Sequence, residues 1–499
     1  MSSKRALLLS MSIGLILPLA AAAQEVAFPL FPIPTTNSVE LGEGGITTGP
    51  GGVLWFTENA SNKIGRIASS GSITEYPLPA GASSPDGIVS AYNSLWFAAN
   101  SGQIGRMTTA GVFSIFTVPT PQSYPAGIAL GADGALWFTE QYVATIGRMT
   151  PSGVFTEYTL PATFEAPEWI TAGPDGALWF TNESVYGASA IGRITTAGLV
   201  TEYTVSEVGA LGLTGITTGP DGALWFTEEF VNQIGRITTA GAVTVYPIPS
   251  GSTAPYGITS GPDGELWFTE YAINMPQIAS ITTAGVITEY PELAYARPSA
   301  IARGPNNTLW FIDENVDGFI SYIGEVVFPT AGLGVSPAQG HYQAELTFTG
   351  SGFAANEQVT IYSNGVGSSP LTSAAAGSSG SFTVTVRQPK WPFGPRVVLA
   401  QGQSSGLLGA ATYSVNEREV LSPTSGPTGA SVTAYGYGFG ALETVRLEWE
   451  VPRTSFGPVN ADINGNVVIP FTVPADAAPG QHQVHMIGSA GTSATFTVE

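Results

Sequence analysis

The ten residues GPDGALWFTE at 219–228 return almost unchanged as GPDGALWFTN at 173–182 and GPDGELWFTE at 261–270. The triplet Leu-Trp-Phe begins at residues 54, 95, 136, 178, 224, 266 and 309, so seven copies follow one another at intervals of 41, 41, 42, 46, 42 and 43 residues. A period of this length means that the chain builds one supersecondary unit many times and buries each copy against the next.

Each unit has the same order: a GIT run, a GPDG turn, LWFTE, IGRIT, a TAG turn, then TEYPLP. Val, Ile, Thr, Tyr, Phe and Trp fill the runs, and Gly, Pro and Asp fill the gaps, which predicts four short strands per unit and no helix. Seven such units predict an all-β, seven-bladed β-propeller over residues 24–330. The last unit ends near Phe328 without a TEYPLP run, while FPLFPIP at 28–34 reads as that missing outer strand. Pairing the two would close the ring and remove its open edge. The seven tryptophans (Trp55, Trp96, Trp137, Trp179, Trp225, Trp267 and Trp310) are expected to pack between blades. The GPDG residues are expected to make turns, and the IGR arginines to form structural salt bridges.

After Thr330 the pattern changes. A stretch from Val335 and another from Leu421 share Ser-Pro, a strand, Gly-x-Gly-Phe, a Glu and a second alternating strand. This two-copy repeat predicts immunoglobulin-like β-sandwiches at 331–416 and 417–499. All three histidines, His341, His482 and His485, fall here, and two residues three apart on one strand point to opposite faces, so HQVH does not make a metal pair.

At the start, Lys4 and Arg5 precede an apolar run to Ala20 and small residues up to Ala23, the pattern of a signal peptide over residues 1–23. A secreted or periplasmic location follows as an expectation, with no transmembrane segment. There is no cysteine, so neither disulfides nor thiol chemistry contribute. The formal charge of −21 disfavours nucleic acid as a partner. An unknown small molecule, a glycan or a protein fits better, and a cation or basic group is electrostatically favoured.

The run GIT…GPDGxLWFTE…IGRITTAGxxTEYPLP closely resembles the streptogramin B lyases, also called virginiamycin B lyases, over about 25–328. That resemblance implies an enzyme that opens a cyclic depsipeptide by elimination at its ester bond, aided by Mg²⁺. It also implies catalytic histidines at the x of PxGI-type stretches in the last two blades. Here those stretches read PYGI and PSAI, so Tyr256 and Ser299 stand in the histidine positions, and the propeller segment holds no histidine. Glu314 matches a glutamate of the family pattern and is the candidate catalytic residue; a second family glutamate falls near Arg297.

An acidic residue ends the WFT run in five blades: Glu58, Glu140, Glu228, Glu270 and Asp313. Placed at one end of the second strand, these acids are expected on one mouth of the channel, where a ring of them could take Mg²⁺ or Ca²⁺ or a basic group. The alternative is that each caps a turn or pairs with an IGR arginine. The aromatics Tyr92, Tyr124, Trp169, Phe230, Tyr256, Tyr271 and Tyr295 are expected on the same face. Three functions compete on these residues: an exported binding platform, a streptogramin B lyase, and a metal-dependent hydrolase or lactonase. The missing histidines favour the platform.

Overall fold

A computed structural model of the chain describes residues 26–499 apart from 40–43, 69–70, 184–188, 207–211, 252, 273–276, 292–296, 306–307, 315–319, 364, 367, 392–393, 441–442, 463–464 and 489–490, and apart from the side chains at 183, 206 and 291. Residues 1–23 and Tyr295 therefore lie outside the described residues. No helix among the described residues is long and apolar enough to cross a membrane. Among the described residues the architecture is all-β, with seven four-stranded antiparallel sheets followed by sandwich-like sheets of eight, three and five strands.

The third blade shows the plan. Its strands are Pro125–Leu130, Leu136–Glu140, Thr145–Met149 and Phe155–Thr159, joined in sequence order from the channel outward. Six blades are consecutive in this way. The seventh is Pro298–Arg303, Leu309–Asp313 and Tyr322–Val326, completed by Leu30–Pro32 from the start of the chain. Leu30 pairs with Gly324, Phe31 with Ile323 and Pro32 with Tyr322, so the ring closes as the FPLFPIP segment predicts.

Why the repeated letters repeat is visible at Trp225. The indole is fully buried against the next blade, beside Ile258 and Leu266, and stacks on Tyr246 of its own outer strand at 5.6 Å. Its Nε1 donates to Asp221 Oδ1 at 3.0 Å, and Arg236 Nε donates to Asp221 Oδ2 at 2.7 Å while the guanidinium lies over the indole. GPDG, Trp-Phe, IGR and TEY thus supply the four members of one cluster. The same cluster forms around Trp137 with Asp133 and Arg148, and around Trp179 with Asp175 and Arg193. Burial alone would raise the Asp221 carboxyl, but hydrogen bonds from Trp225, Arg236 and the Ala223 amide hold it below its ordinary value. The turn aspartates therefore do more than shape turns.

The threonine of WFT joins neighbouring blades at the channel. Thr139 Oγ1 accepts the Gly127 amide of its own blade at 2.9 Å and donates to the Glu168 carbonyl of the next at 2.7 Å. Thr227 and Thr269 donate in the same way to the carbonyls of Tyr256 and Ser299. Replacing Thr139 by Val leaves a buried amide and a buried carbonyl without this partner, and the expected loss is about 2–4 kcal/mol of unfolding free energy, measured by denaturant titration.

Beyond residue 330, one sheet runs through strands between Ala331–Ser336 and Leu408–Val415, which pair in parallel. A three-stranded and a five-stranded sheet follow, around Trp449, Phe471 and Phe496. The motif shared by these two units is a turn staple: Glu357 accepts the Ala354 amide and both Ser404 and Ser405, and Glu443 accepts the Gly440 amide. His341 is exposed and His482 rests on the Trp449 ring at 5.0 Å.

Candidate functional site at the channel mouth

Six of the seven inner strands begin with a β-bulge at one end of the channel, while the first blade's Ile46–Gly49 pairs without a slip. Pro255 pairs with Glu270, then the register slips before Ile258 pairs with Phe268; the same slip occurs after Pro85, Pro125, Pro167, Leu213 and Pro298. A bulge re-aims the residue it displaces. It also brings adjacent blades into backbone contact, which is why glycine follows in four of these six blades, with Trp169 and Ala300 in the other two. A Cβ on Gly257 would lie 2.5 Å from the Ser299 carbonyl, and one on Gly127 would lie 2.6 Å from that of Glu168. The bulged residue itself differs in each of these six blades: Asp86, Ala126, Glu168, Thr214, Tyr256 and Ser299.

Tyr256 is buried, and its ring lies 5.5 Å from that of Tyr271. The Tyr271 hydroxyl donates to Glu314 Oε2 at 3.0 Å, and the Arg297 guanidinium covers the Tyr271 ring at 5.2 Å. Glu314 is held in turn by its amide, which donates to the Arg297 carbonyl. Burial, then the charges of Glu168, Asp86, Glu314 and Glu229, raise the Tyr256 phenol well above its ordinary value. Burial and Glu314 likewise raise Tyr271. Both phenols are therefore protonated at neutral pH and not bases, and that of Tyr271 donates to Glu314.

The structure brings together Glu314, Tyr256, Tyr271 and Arg297, with Asp86, Glu168 and Glu229 near enough for their charges to act on Tyr256. Trp169 occupies the fourth blade's bulge, half-buried against the cluster of Leu213 and Ile216. Phe230 is exposed beside Glu229, and Tyr124 stacks on the exposed Tyr142 at 4.5 Å. Tyr92 departs from its expected place. It sits in the turn between inner and second strands, at the opposite end of the blade, where its hydroxyl donates to the Gly134 carbonyl at 2.5 Å.

Glu58, Glu140, Glu228, Glu270 and Asp313 are each no more than 1% exposed. Side chains alternate along a strand, and Phe138 packs toward the second blade while Trp137 packs toward the fourth. Glu140, in phase with Phe138, thus lies between blades. None of the five joins an ion pair among the described residues; the IGR arginines Arg148, Arg193 and Arg236 are taken by the turn aspartates. Burial pushes Glu140, Glu228 and Asp313 up to about 7. Burial plus repulsion from Glu75 lifts Glu58 to about 8, and burial plus Glu289 does the same for Glu270. The carboxylates whose charges reach Tyr256, apart from Glu314, went unremarked in the sequence; the signal was a charged residue in the PxGI position or directly after the WFTE acid.

Residues 22–167 and 131–326 match the model of the virginiamycin B lyase family, overlapping spans that together take in the whole propeller. The chain belongs to the virginiamycin B lyase family. No curated protein matches it. Among solved structures, a streptogramin B lyase is 36% identical, covering 60% of this chain and 98% of its own at a TM-score of 0.54. A virginiamycin B lyase from Staphylococcus aureus is 37% identical, covering 61% and 99% at 0.55. A catalytically inactive histidine-to-alanine form of virginiamycin B lyase from the same organism, with quinupristin, is 38% identical, covering 60% and 99% at 0.54.

Within this propeller, the donors around Glu314 do not fit the Mg²⁺ that the family resemblance implies. A buried phenol at 256 and a buried serine at 299 stand where imidazoles are implied. Among the described residues no three His, Cys, Asp or Glu side chains converge to hold a metal ion.

Proposed function

We propose that the chain is an exported propeller that binds a small molecule or glycan at its bulge-lined mouth without cleaving it. The observation that carries this reading is the pair Tyr256 and Ser299. A general base must be deprotonated at working pH and able to reach its proton. Tyr256 is held protonated by burial and four carboxylates, and Ser299 has no neighbouring imidazole to activate it. In a similar S. aureus lyase, the form with one histidine changed to alanine is catalytically inactive; here neither of the two matched positions carries histidine. Export is supported by the basic and apolar pattern of residues 1–23.

The test is incubation of the purified protein with virginiamycin B or quinupristin, followed by reversed-phase chromatography. The expected result is cyclic antibiotic, fully recovered after hours at micromolar protein. Appearance of the linear product in proportion to protein would overturn the binding-only reading and restore the lyase, with Glu314 as the first residue to substitute.

A further inference from the structure

We infer that the mouth selects a ligand carrying a positive charge next to a planar or apolar group, a recognition class that rests on the binding reading above. Three independent features converge there. The first is charge: Asp86 and Glu168 lie in the bulges of the second and fourth blades as Tyr256 does in the sixth, Glu229 directly follows the second strand of the fifth, and Glu314 of the seventh accepts the Tyr271 hydroxyl. Arg297, over the Tyr271 ring, offsets one of these four charges and leaves the group net negative.

The second feature is the aromatic surface. Tyr256 and Tyr271 are inclined at 32° with centroids 5.5 Å apart, and Phe230, 58% exposed, stands on the same rim beside Glu229. Ring faces and carboxylates together are what attract an organic cation, since the quadrupole of the ring and the full charges act in the same direction. The third feature is Ser299. Its hydroxyl is fully buried and has no hydrogen-bond partner among the described residues. It follows Pro298 in the bulge as Tyr256 follows Pro255, Asp86 follows Pro85 and Glu168 follows Pro167. It therefore takes the place in its blade that those three take in theirs, and its oxygen is an acceptor for a ligand N–H that reaches the inner strands. A buried hydroxyl left unbonded is costly, and a ligand group at the mouth would satisfy it.

The test compares three benzyl probes that differ in charge on the full chain by NMR-monitored titration: benzyltrimethylammonium, benzyl alcohol and phenylacetate. The cation is expected to bind saturably and at least about tenfold more tightly than the alcohol, with phenylacetate weaker still. Glu314→Gln and Glu168→Gln should each weaken the cation by about three- to tenfold. Glu345→Gln, a charge change at an exposed position on a strand of the first sandwich, should leave it unaltered. Melting temperatures of all three variants establish that they fold.

Equal affinity for the alcohol, preference for phenylacetate, or weakening by Glu345→Gln as large as by the mouth variants would each overturn the inference. The last of these would show attraction to the acidic chain as a whole. The outcome separates cleanly from that of the antibiotic experiment. Cleaved antibiotic defeats the binding-only reading whatever the probes do, whereas intact antibiotic with no cation preference defeats this inference alone.

Discussion

Thermal stability is expected to fall steadily as pH rises from about 5 to about 8, the reverse of ordinary acid unfolding. Glu58, Glu140, Glu228, Glu270 and Asp313 have folded-state values of about 7 to 8, far above those of an exposed carboxyl. A group raised by folding binds its proton more tightly in the native state. Its contribution is complete below the unfolded value and is lost as pH climbs through the folded one. Each such group tilts the unfolding free energy by about 1.4 kcal/mol per pH unit across that window, so half of the five acting gives about 3 kcal/mol per unit.

The turn aspartates and Glu75 act in the opposite sense, since hydrogen bonds and cations hold them low, but their effect is complete once they ionise in the unfolded chain. The groups nearest the five include Glu75 and Lys63 at Glu58, Glu157 at Glu140, Glu289 at Glu270 and the Arg297 amide at Asp313. Differential scanning fluorimetry across the range checks the slope. Glu140→Gln and Glu270→Gln should each flatten it and raise the melting temperature at pH 8. A melting temperature constant or rising from pH 5 to 8 would mean that the acids ionise within the fold.

Truncating Trp225 to Ala is expected to cost about 3–5 kcal/mol, near the upper limit for one buried side chain. The loss combines a cavity between two blades with removal of the Tyr246 stack and of the surface under Arg236. Asp221→Ala removes an acceptor used by two donors and should cost about 1–3 kcal/mol. The Arg236–Asp221 pair is partly exposed, so its own share is small. In the Trp225→Ala background, Arg236→Ala should then add little, because neighbours that share one partner do not contribute independently. Urea titration of the single and double variants decides it: additive losses would mean that the indole and guanidinium act separately.

Much of this was legible in the letters. Period, blade number, strand order and the closing strand all follow from spacing and β-forming composition, because a repeated unit must bury the same face in every copy. The partner of the IGR arginines was not legible, since two acids per blade were available and only the register chooses. Trp225 and Arg236 are paired across neighbouring strands, and the turn aspartate reaches both, while Glu228 lies at the far end of the strand. The direction of the WFTE acids escaped for a related reason. Strand ends at a mouth suggest a rim, yet side-chain phase relative to Phe138 turns Glu140 between blades. The mouth itself is set by bulges, and a bulge leaves only a weak trace, a proline and a glycine around one variable residue. Tyr92 was misplaced because a turn tyrosine carries no mark of which end of the blade its turn occupies.

The outermost strand of the seventh blade, Leu30–Pro32, is the first part of the ring to be made and the last that can be seated. Until Tyr322–Val326 exists, those three residues have no partner, and once it exists they must find it across the whole circumference. A vacant edge of this kind does not distinguish its own strand from that of another copy. At high concentration during folding, two chains can therefore trade their opening strands and emerge as a linked pair, each ring fastened by the other's beginning.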